Sequence, residues 1–123
     1  MNILVWFTGV ISQYHVGDYF IPDLKLNKSI YNKLKTNAQL YFIVCAKDTI
    51  EQKQYVQLLE KNGMRECKLL FMPYGLSFSE MMYQILAHVH KIDMYVDYSK
   101  ARLVEANAIC ENLYLKHISE LID

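Results

Sequence analysis

The sequence predicts an α/β protein with three layers, an open parallel sheet covered by helices on both faces. Asn2 to Ser12, NILVWFTGVIS, is a run of branched and aromatic residues that meets a Gly, which is typical of a buried parallel strand entering a tight turn. Leu40 to Ala46, LYFIVCA, is apolar throughout, as expected for a strand buried on both faces. Segments of helical periodicity separate such stretches, and this alternation favours parallel strands joined by right-handed crossovers.

The remaining strands are predicted from shorter stretches. Cys67 to Met72 precedes a Pro-Tyr-Gly turn, and Met94 to Tyr98 forms a fourth strand. Residues 113–117 are either a fifth strand or more helix, because periodicity cannot decide over so few residues. Gly17-Asp18 lies between two short aromatic or branched stretches within Gln13 to Ile21, which predicts a small β-hairpin.

The helices are predicted from their first residues and their apolar spacing. Each begins after a residue suited to cap it, and two of these caps have a Glu three positions later, as in a capping box: Asn27, Asp48 with Glu51, Ser77 with Glu80, and Ser99. Helical spacing then places Ile50, Val56 and Leu59 of the second helix, and Leu103 and Val104 of the last, towards the core.

Composition restricts the classes of partner. The chain has 123 residues, predicted to form one domain over 1–123, with 13 basic and 13 acidic residues and no net charge. No basic run favours nucleic acid or an anionic membrane surface, so we expect neither as a partner. A neutral protein gains little solubility from charge, which favours burial against a protein partner or self-association.

Cysteine usage and hydropathy indicate a cytoplasmic protein. The cysteines Cys45, Cys67 and Cys110 are widely spaced in apolar surroundings and form no CxxC pair, which favours reduced core thiols over a zinc site. No apolar run reaches membrane-spanning length, and the N-terminus lacks the pattern of a signal peptide.

The residues that end the predicted strands bear on the kind of protein this is. Trp6-Phe7-Thr8-Gly9-Val10 ends the first strand, Cys45-Ala46-Lys47 ends the second, and Asp97 ends the fourth. In this order the chain resembles the haloacid dehalogenase-like (HAD) hydrolase superfamily over nearly its whole length. The resemblance implies a capless, Rossmann-like sheet of order 5-4-1-2-3, with the first strand central and the hairpin as a small flap.

The resemblance also assigns positions to a vestigial cleft. Trp6 falls where the family has its nucleophilic Asp, and Thr8 where it has its acid/base Asp. Cys45 takes the place of a Thr or Ser, and Lys47 that of an Arg. Gln84, beside Tyr83, falls where the family has a Lys, and Asp97 is the one carboxylate retained.

These departures predict a protein that does not catalyse the family's reaction. Trp6 cannot supply the carboxylate that covalent phosphoryl transfer needs, and Asp97 alone is a poor site for Mg²⁺, so no catalytic residue and no cofactor is assigned. The sequence therefore predicts a non-catalytic pseudo-phosphatase that acts as a protein-binding or regulatory module. Two alternatives stay open. One is a phosphatase- or nucleotidase-type hydrolase, with Mg²⁺ at Asp97, or a small-ligand binder with a rebuilt cleft; the other is a structural subunit of a larger assembly.

Two side chains of that cleft have two interpretations each. Trp6 either fills the former phosphate pocket as part of the core or lies at an open pocket mouth. Asp97 is either a relic metal ligand or a strand-end cap for the helix after Ser99, and the cap is favoured because strand-end Asp is common in turns.

Overall fold

The computed structural model describes residues 1–14, 20–89 and 91–122, and within them a five-stranded parallel sheet. The strands are β1 (Asn2–Trp6), β2 (Gln39–Cys45), β3 (Cys67–Met72), β4 (Met94–Asp97) and β5 (Tyr114–His117). Their order is β3-β2-β1-β4-β5, which is 5-4-1-2-3 when read from the β5 edge, with β1 in the centre. The predicted α/β class is confirmed, and the segment left open between strand and helix is a strand. The predicted hairpin at Gly17-Asp18 lies outside the described residues.

In the part of the chain that the structure describes, four α-helices cover the two faces of this sheet: α1 (Lys28–Lys35), α2 (Thr49–Lys61), α3 (Phe78–His88) and α4 (Lys100–Ile109). Alternate residues of β1 serve two separate cores, since Ile3 and Val5 pack in the cluster that contains residues of α1 and α2, while Leu4 packs in the cluster that contains residues of α3 and α4. The chain therefore winds one way from β1 and the other way from β4. The boundary between β1 and β4 is the topological switch point, where open sheets of this kind bind ligands.

The predicted helix caps are confirmed. The side chains of Asn27, Asp48, Ser77 and Ser99 each accept a hydrogen bond from the backbone N–H three residues later. The capping box of Ser77 and Glu80 is closed in both directions. In α2, however, the carboxylate of Glu51 accepts from the N–H of Lys47 at 3.3 Å and not from that of the cap residue Asp48. Glu51 is buried as a result, with only 2% of its surface exposed.

The predicted inner faces of α2 and α4 are partly wrong. Ile50, Val56 and Val104 are exposed, and the core side of α2 is formed by residues that include Glu51 and Tyr55. The Tyr55 ring packs edge-on against Phe7 and Phe20, with centroids 5.7 and 5.0 Å apart. These long-range aromatic contacts set the rotation of α2 about its axis. The spacing of its aliphatic residues therefore does not predict which face is buried.

Candidate functional site

A cavity of about 180 Å³ lies at the carboxyl ends of the strands, beside the switch point. Trp6 ends β1, Cys45 ends β2, Tyr74 follows β3 and Tyr98 follows β4, so the strands deliver these side chains to one place. The full lining among the described residues is Trp6, Thr8, Tyr14, Cys45, Tyr55, Tyr74, Tyr98 and Arg102, and we call this cavity the aromatic cleft. Its position is the one at which doubly wound sheets bind ligands.

Three other cavities are larger but lie on the flanks of the fold. One of about 430 Å³ borders the turn after β1 and the start of α1, and those of about 300 and 270 Å³ lie along α2. Each has at most one aromatic side chain in its lining, Tyr14 or Phe20. Volume alone would favour them, but the convergence of polar and aromatic side chains favours the aromatic cleft.

Asp97 lies behind the aromatic cleft and does not line it. Its carboxylate accepts from the Nε and Nη2 of Arg102 at 2.7 and 3.0 Å and from the backbone N–H groups of Tyr98 and Ser99 at 2.6 and 3.0 Å, with the Tyr95 hydroxyl as a fifth donor. The side chain is fully buried. Five donors saturate its lone pairs, so the geometry supports the strand-end cap over the metal ligand.

Arg102, the ion-pair partner of Asp97, places its guanidinium in the wall of the cleft. Its guanidinium carbon lies 4.1 Å from the ring centroid of Trp6 and 5.1 Å from that of Tyr98, within the range of cation–π attraction. Partial burial lowers the pKa of Arg102, but the hydrogen bonds and charge of Asp97 outweigh it and hold the pKa above its usual value. Arg102 is therefore a permanent cation whose charge is already balanced.

Trp6 forms a wall of the cleft and does not fill it. It is half-buried, with its ring 6.0 Å from that of Phe78 and the Arg102 guanidinium against its face. This geometry favours the interpretation of Trp6 at an open pocket mouth over the one that makes it part of the core. Thr8 and Cys45 also line the cleft, whereas Lys47 and Gln84 are exposed and lie outside its lining.

A buried acidic group stands directly behind the opposite wall. The hydroxyl of Tyr74 donates to Oε1 of Glu51 at 3.1 Å, and Tyr55 lies on the same helix as Glu51 and lines the cleft. Burial, and then the charge of Glu51, raise the pKa of Tyr55 to about 12. The same two causes raise the pKa of Tyr74. Both hydroxyls thus stay protonated and neutral at physiological pH.

These raised pKa values predict a loss of stability at alkaline pH. Between pH 10 and about 12 the unfolded chain has released the Tyr55 proton and the native protein still holds it, so the free energy of unfolding falls as the pH rises. We expect the tyrosinate absorbance of the native protein to rise later than that of the chain in denaturant. The Tyr55→Phe variant should lose stability less steeply over this window, and superimposable native and denatured titrations would contradict the prediction.

The sequence does not predict several residues of the site, because their contacts join segments that are distant in the chain or follow no regular spacing. Tyr74 lies in the Pro-Tyr-Gly turn after β3, and its position at a strand end is the same signal that selected Thr8. Arg102 follows Asp97 by five residues across a strand end and a helix start, a spacing that matches no regular periodicity. Glu51 was assigned only to a capping box, so its burial was not anticipated.

Two broader features concern the described ranges alone. Among residues 1–14, 20–89 and 91–122, no group of three or more His, Cys, Asp or Glu side chains is placed to hold a metal ion. Within the same ranges, no helix has the length and apolarity needed to cross a membrane. His15, in the predicted flap, lies outside the described residues.

The fold and the cleft together define a doubly wound parallel α/β protein with an aromatic-walled cleft at its switch point. Comparison with protein-family models, with curated proteins and with solved structures found no match to this chain. The strand order agrees with the one that the resemblance to the HAD superfamily implies, but other doubly wound sheets share it. Membership of that superfamily therefore stays a prediction.

Proposed function

We propose that this protein is a non-catalytic domain that binds a small ligand in the aromatic cleft. The observation that carries the proposal is the convergence of five aromatic side chains and one charge-balanced Arg at the ends of the strands. Ligand sites combine apolar walls with a few polar groups that fix orientation, and the cleft brings aromatic rings together with the hydroxyl, thiol and guanidinium groups of Thr8, Cys45 and Arg102. Its volume of about 180 Å³ is below the ~300–1,000 Å³ of sites for drug-sized molecules, so it suits a headgroup or a single ring.

The composition of the lining supports binding over hydrolysis. Trp6 occupies the end of β1, and the part of the lining that the structure describes contains no Asp, Glu or His. Thr8 is a potential nucleophile, and the described part of the lining contains no carboxylate or imidazole that could act as its base. The carboxylate retained at Asp97 is occupied by its five donors.

The protein-binding role expected from composition stays a prediction. A surface rich in Tyr and Met would favour it. Among the described residues Tyr14, Tyr83, Tyr114 and Met1 are exposed, but four of the six methionines are buried in the core. The aromatic cleft is thus the better-defined site, and we place ligand binding first.

Trp6 makes the binding proposal directly testable, because it is the single tryptophan and lies in the cleft wall. Its emission should change when the protein is titrated with some of a panel of small probes: choline, acetate, inorganic phosphate, imidazole and phenol. Tyr98→Ala should weaken the response, while Tyr83→Ala, at an exposed position of α3 outside the cleft, should not. If no probe binds in the cleft, as judged by emission and by amide NMR shifts, the proposal fails.

The non-catalytic part has its own test. With Mg²⁺ and p-nitrophenyl phosphate we expect no release of nitrophenol above the blank, since no carboxylate lies in the described lining to accept the phosphoryl group. Turnover that is lost in the Thr8→Ala variant would instead support the hydrolase alternative.

A further inference from the structure

We propose that the ligand of the aromatic cleft is a small organic cation, a methylated ammonium group held between aromatic faces with the carboxylate of Glu51 behind them. This inference rests on the proposed binding function and adds the chemical class of the ligand. Three observations support it: the buried carboxylate of Glu51 beside the cleft, the aromatic rings in the cleft walls, and the ion pair with Asp97 that already engages Arg102.

The two buried carboxylates next to the cleft, those of Asp97 and Glu51, differ in how their charge is compensated. Arg102 and Asp97 cancel each other through a two-point ion pair. Glu51 has no ion-pair partner among the described residues, although it is almost completely buried. A buried charge needs a compensating partner, and a bound cation would supply it.

Hydrogen bonds fix the side chain of Glu51 behind the cleft wall. Its Oε1 accepts from two donors, the Lys47 N–H at 3.3 Å and the Tyr74 hydroxyl at 3.1 Å. Glu51 also lies in the first turn of α2, where the helix dipole stabilises negative charge. The protein therefore stabilises a carboxylate one side chain away from the cavity.

The walls suit a cation that has lost its water. Trp and Tyr rings attract ammonium and guanidinium groups through the negative potential of their faces, and sets of such rings recognise quaternary ammonium ligands. The Tyr74 hydroxyl donates to Glu51, which polarises the phenol and makes its ring more electron-rich. The cleft already shows this chemistry internally, since the guanidinium of Arg102 lies over Trp6 and Tyr98.

An anion fits this site less well. Arg102 is the one cationic side chain in the described lining, and Asp97 engages both its Nε and its Nη2. A bound phosphate or carboxylate would meet a guanidinium whose charge Asp97 already balances, and it would lie close to the carboxylate of Glu51. Both effects weaken anion binding.

The decisive experiment compares choline with its uncharged isostere 3,3-dimethylbutan-1-ol and with inorganic phosphate, each read by Trp6 emission. Choline and the alcohol differ by a nitrogen in place of a carbon, so the difference in Kd isolates the positive charge. We expect choline to bind the wild-type protein roughly tenfold or more tightly than the alcohol, and phosphate to bind more weakly still. This comparison needs no variant and holds even if a substitution impairs folding.

Two variants then locate the charge effect. Glu51→Gln keeps an acceptor for the Lys47 N–H and removes the charge, so it should weaken choline binding and leave the alcohol unchanged. Glu60→Gln, at an exposed position of the same helix, is the matched control and should change neither. If the alcohol or phosphate binds as tightly as choline, or if Glu51→Gln has no effect on choline, the cation inference is overturned while the binding function stands. If none of the probes binds in the cleft, both fail.

Discussion

Replacing Arg102 with leucine is expected to lower the free energy of unfolding by about 3–5 kcal/mol. The Asp97 side chain has no exposed surface, and Arg102 supplies two of its five hydrogen bonds together with the compensating charge. Without the guanidinium the carboxylate stays buried and unpaired, which costs far more than the loss of an exposed ion pair. The stacking of Arg102 on Trp6 is lost as well.

A double-mutant cycle separates these contributions. In the Asp97→Asn background no buried charge is left, and the amide oxygen can still accept from the N–H groups of Tyr98 and Ser99. Arg102→Leu should therefore cost clearly less in that background than in the wild type. Lys100→Leu, at the exposed first residue of α4, is the surface control and should change stability by no more than about 0.5 kcal/mol.

Urea unfolding followed by far-UV circular dichroism measures all five proteins, the four of the cycle and the Lys100→Leu control, on one scale. A cost for Arg102→Leu of about 1 kcal/mol or less would place the pair among solvent-screened surface ion pairs, contrary to its burial. Equal costs in the two backgrounds would show that the loss arises from packing against Trp6 and not from the charge of Asp97.

The features that the sequence predicted correctly are those encoded by neighbouring residues. The strand of Asn2 to Trp6 is a continuous apolar run, as burial on both faces requires, and its central position is the one that the resemblance implied. The caps at Asn27, Asp48, Ser77 and Ser99 act over three residues, so composition at the helix start is sufficient.

The features that the sequence did not predict depend on contacts between distant segments of the chain. The bond from the Tyr74 hydroxyl to Glu51 joins residues 23 apart and buries a residue that local rules place on the surface. Val56 was predicted to be buried because it is aliphatic, but Tyr55 and its aromatic contacts occupy that side of α2. The resemblance selected Lys47 and Gln84 by alignment to short motifs, and both lie outside the lining of the cleft.

The turn after β1 provides the second large expected effect, because Gly9 is held in a conformation that other residues rarely adopt. Its φ is +89°, and its N–H donates to the carbonyl of Ser12 at 3.0 Å. A Cβ at this position would lie 2.5 Å from Cε1 and 2.6 Å from Cδ1 of Tyr98. The Gly9→Ala variant therefore combines backbone strain of about 1–3 kcal/mol with a steric overlap that costs a further 1–3 kcal/mol, roughly.

The chain contains a matched control for the strain. Gly75 has a φ of +93°, and nothing lies within 4 Å of its hypothetical Cβ, so Gly75→Ala carries the strain without the overlap. The difference in the free energy of unfolding between the two variants thus measures the contact with Tyr98. When both glycine substitutions are made in a Tyr98→Ala background, they should lower the free energy of unfolding by the same amount, because only the backbone strain remains.

The overlap also links stability to the aromatic cleft. Tyr98 can yield to the new methyl group only by turning away from Gly9, and its ring lies 5.1 Å from the guanidinium that also stacks on Trp6. Gly9→Ala should therefore shift the emission of Trp6 and weaken the response to choline, whereas Gly75→Ala should do neither. Equal stabilities for the two variants, with unchanged Trp6 emission, would show that Tyr98 moves freely and does not form a fixed wall of the cleft. A fixed wall is what preorganised recognition requires, since side chains that must be ordered on binding reduce the affinity.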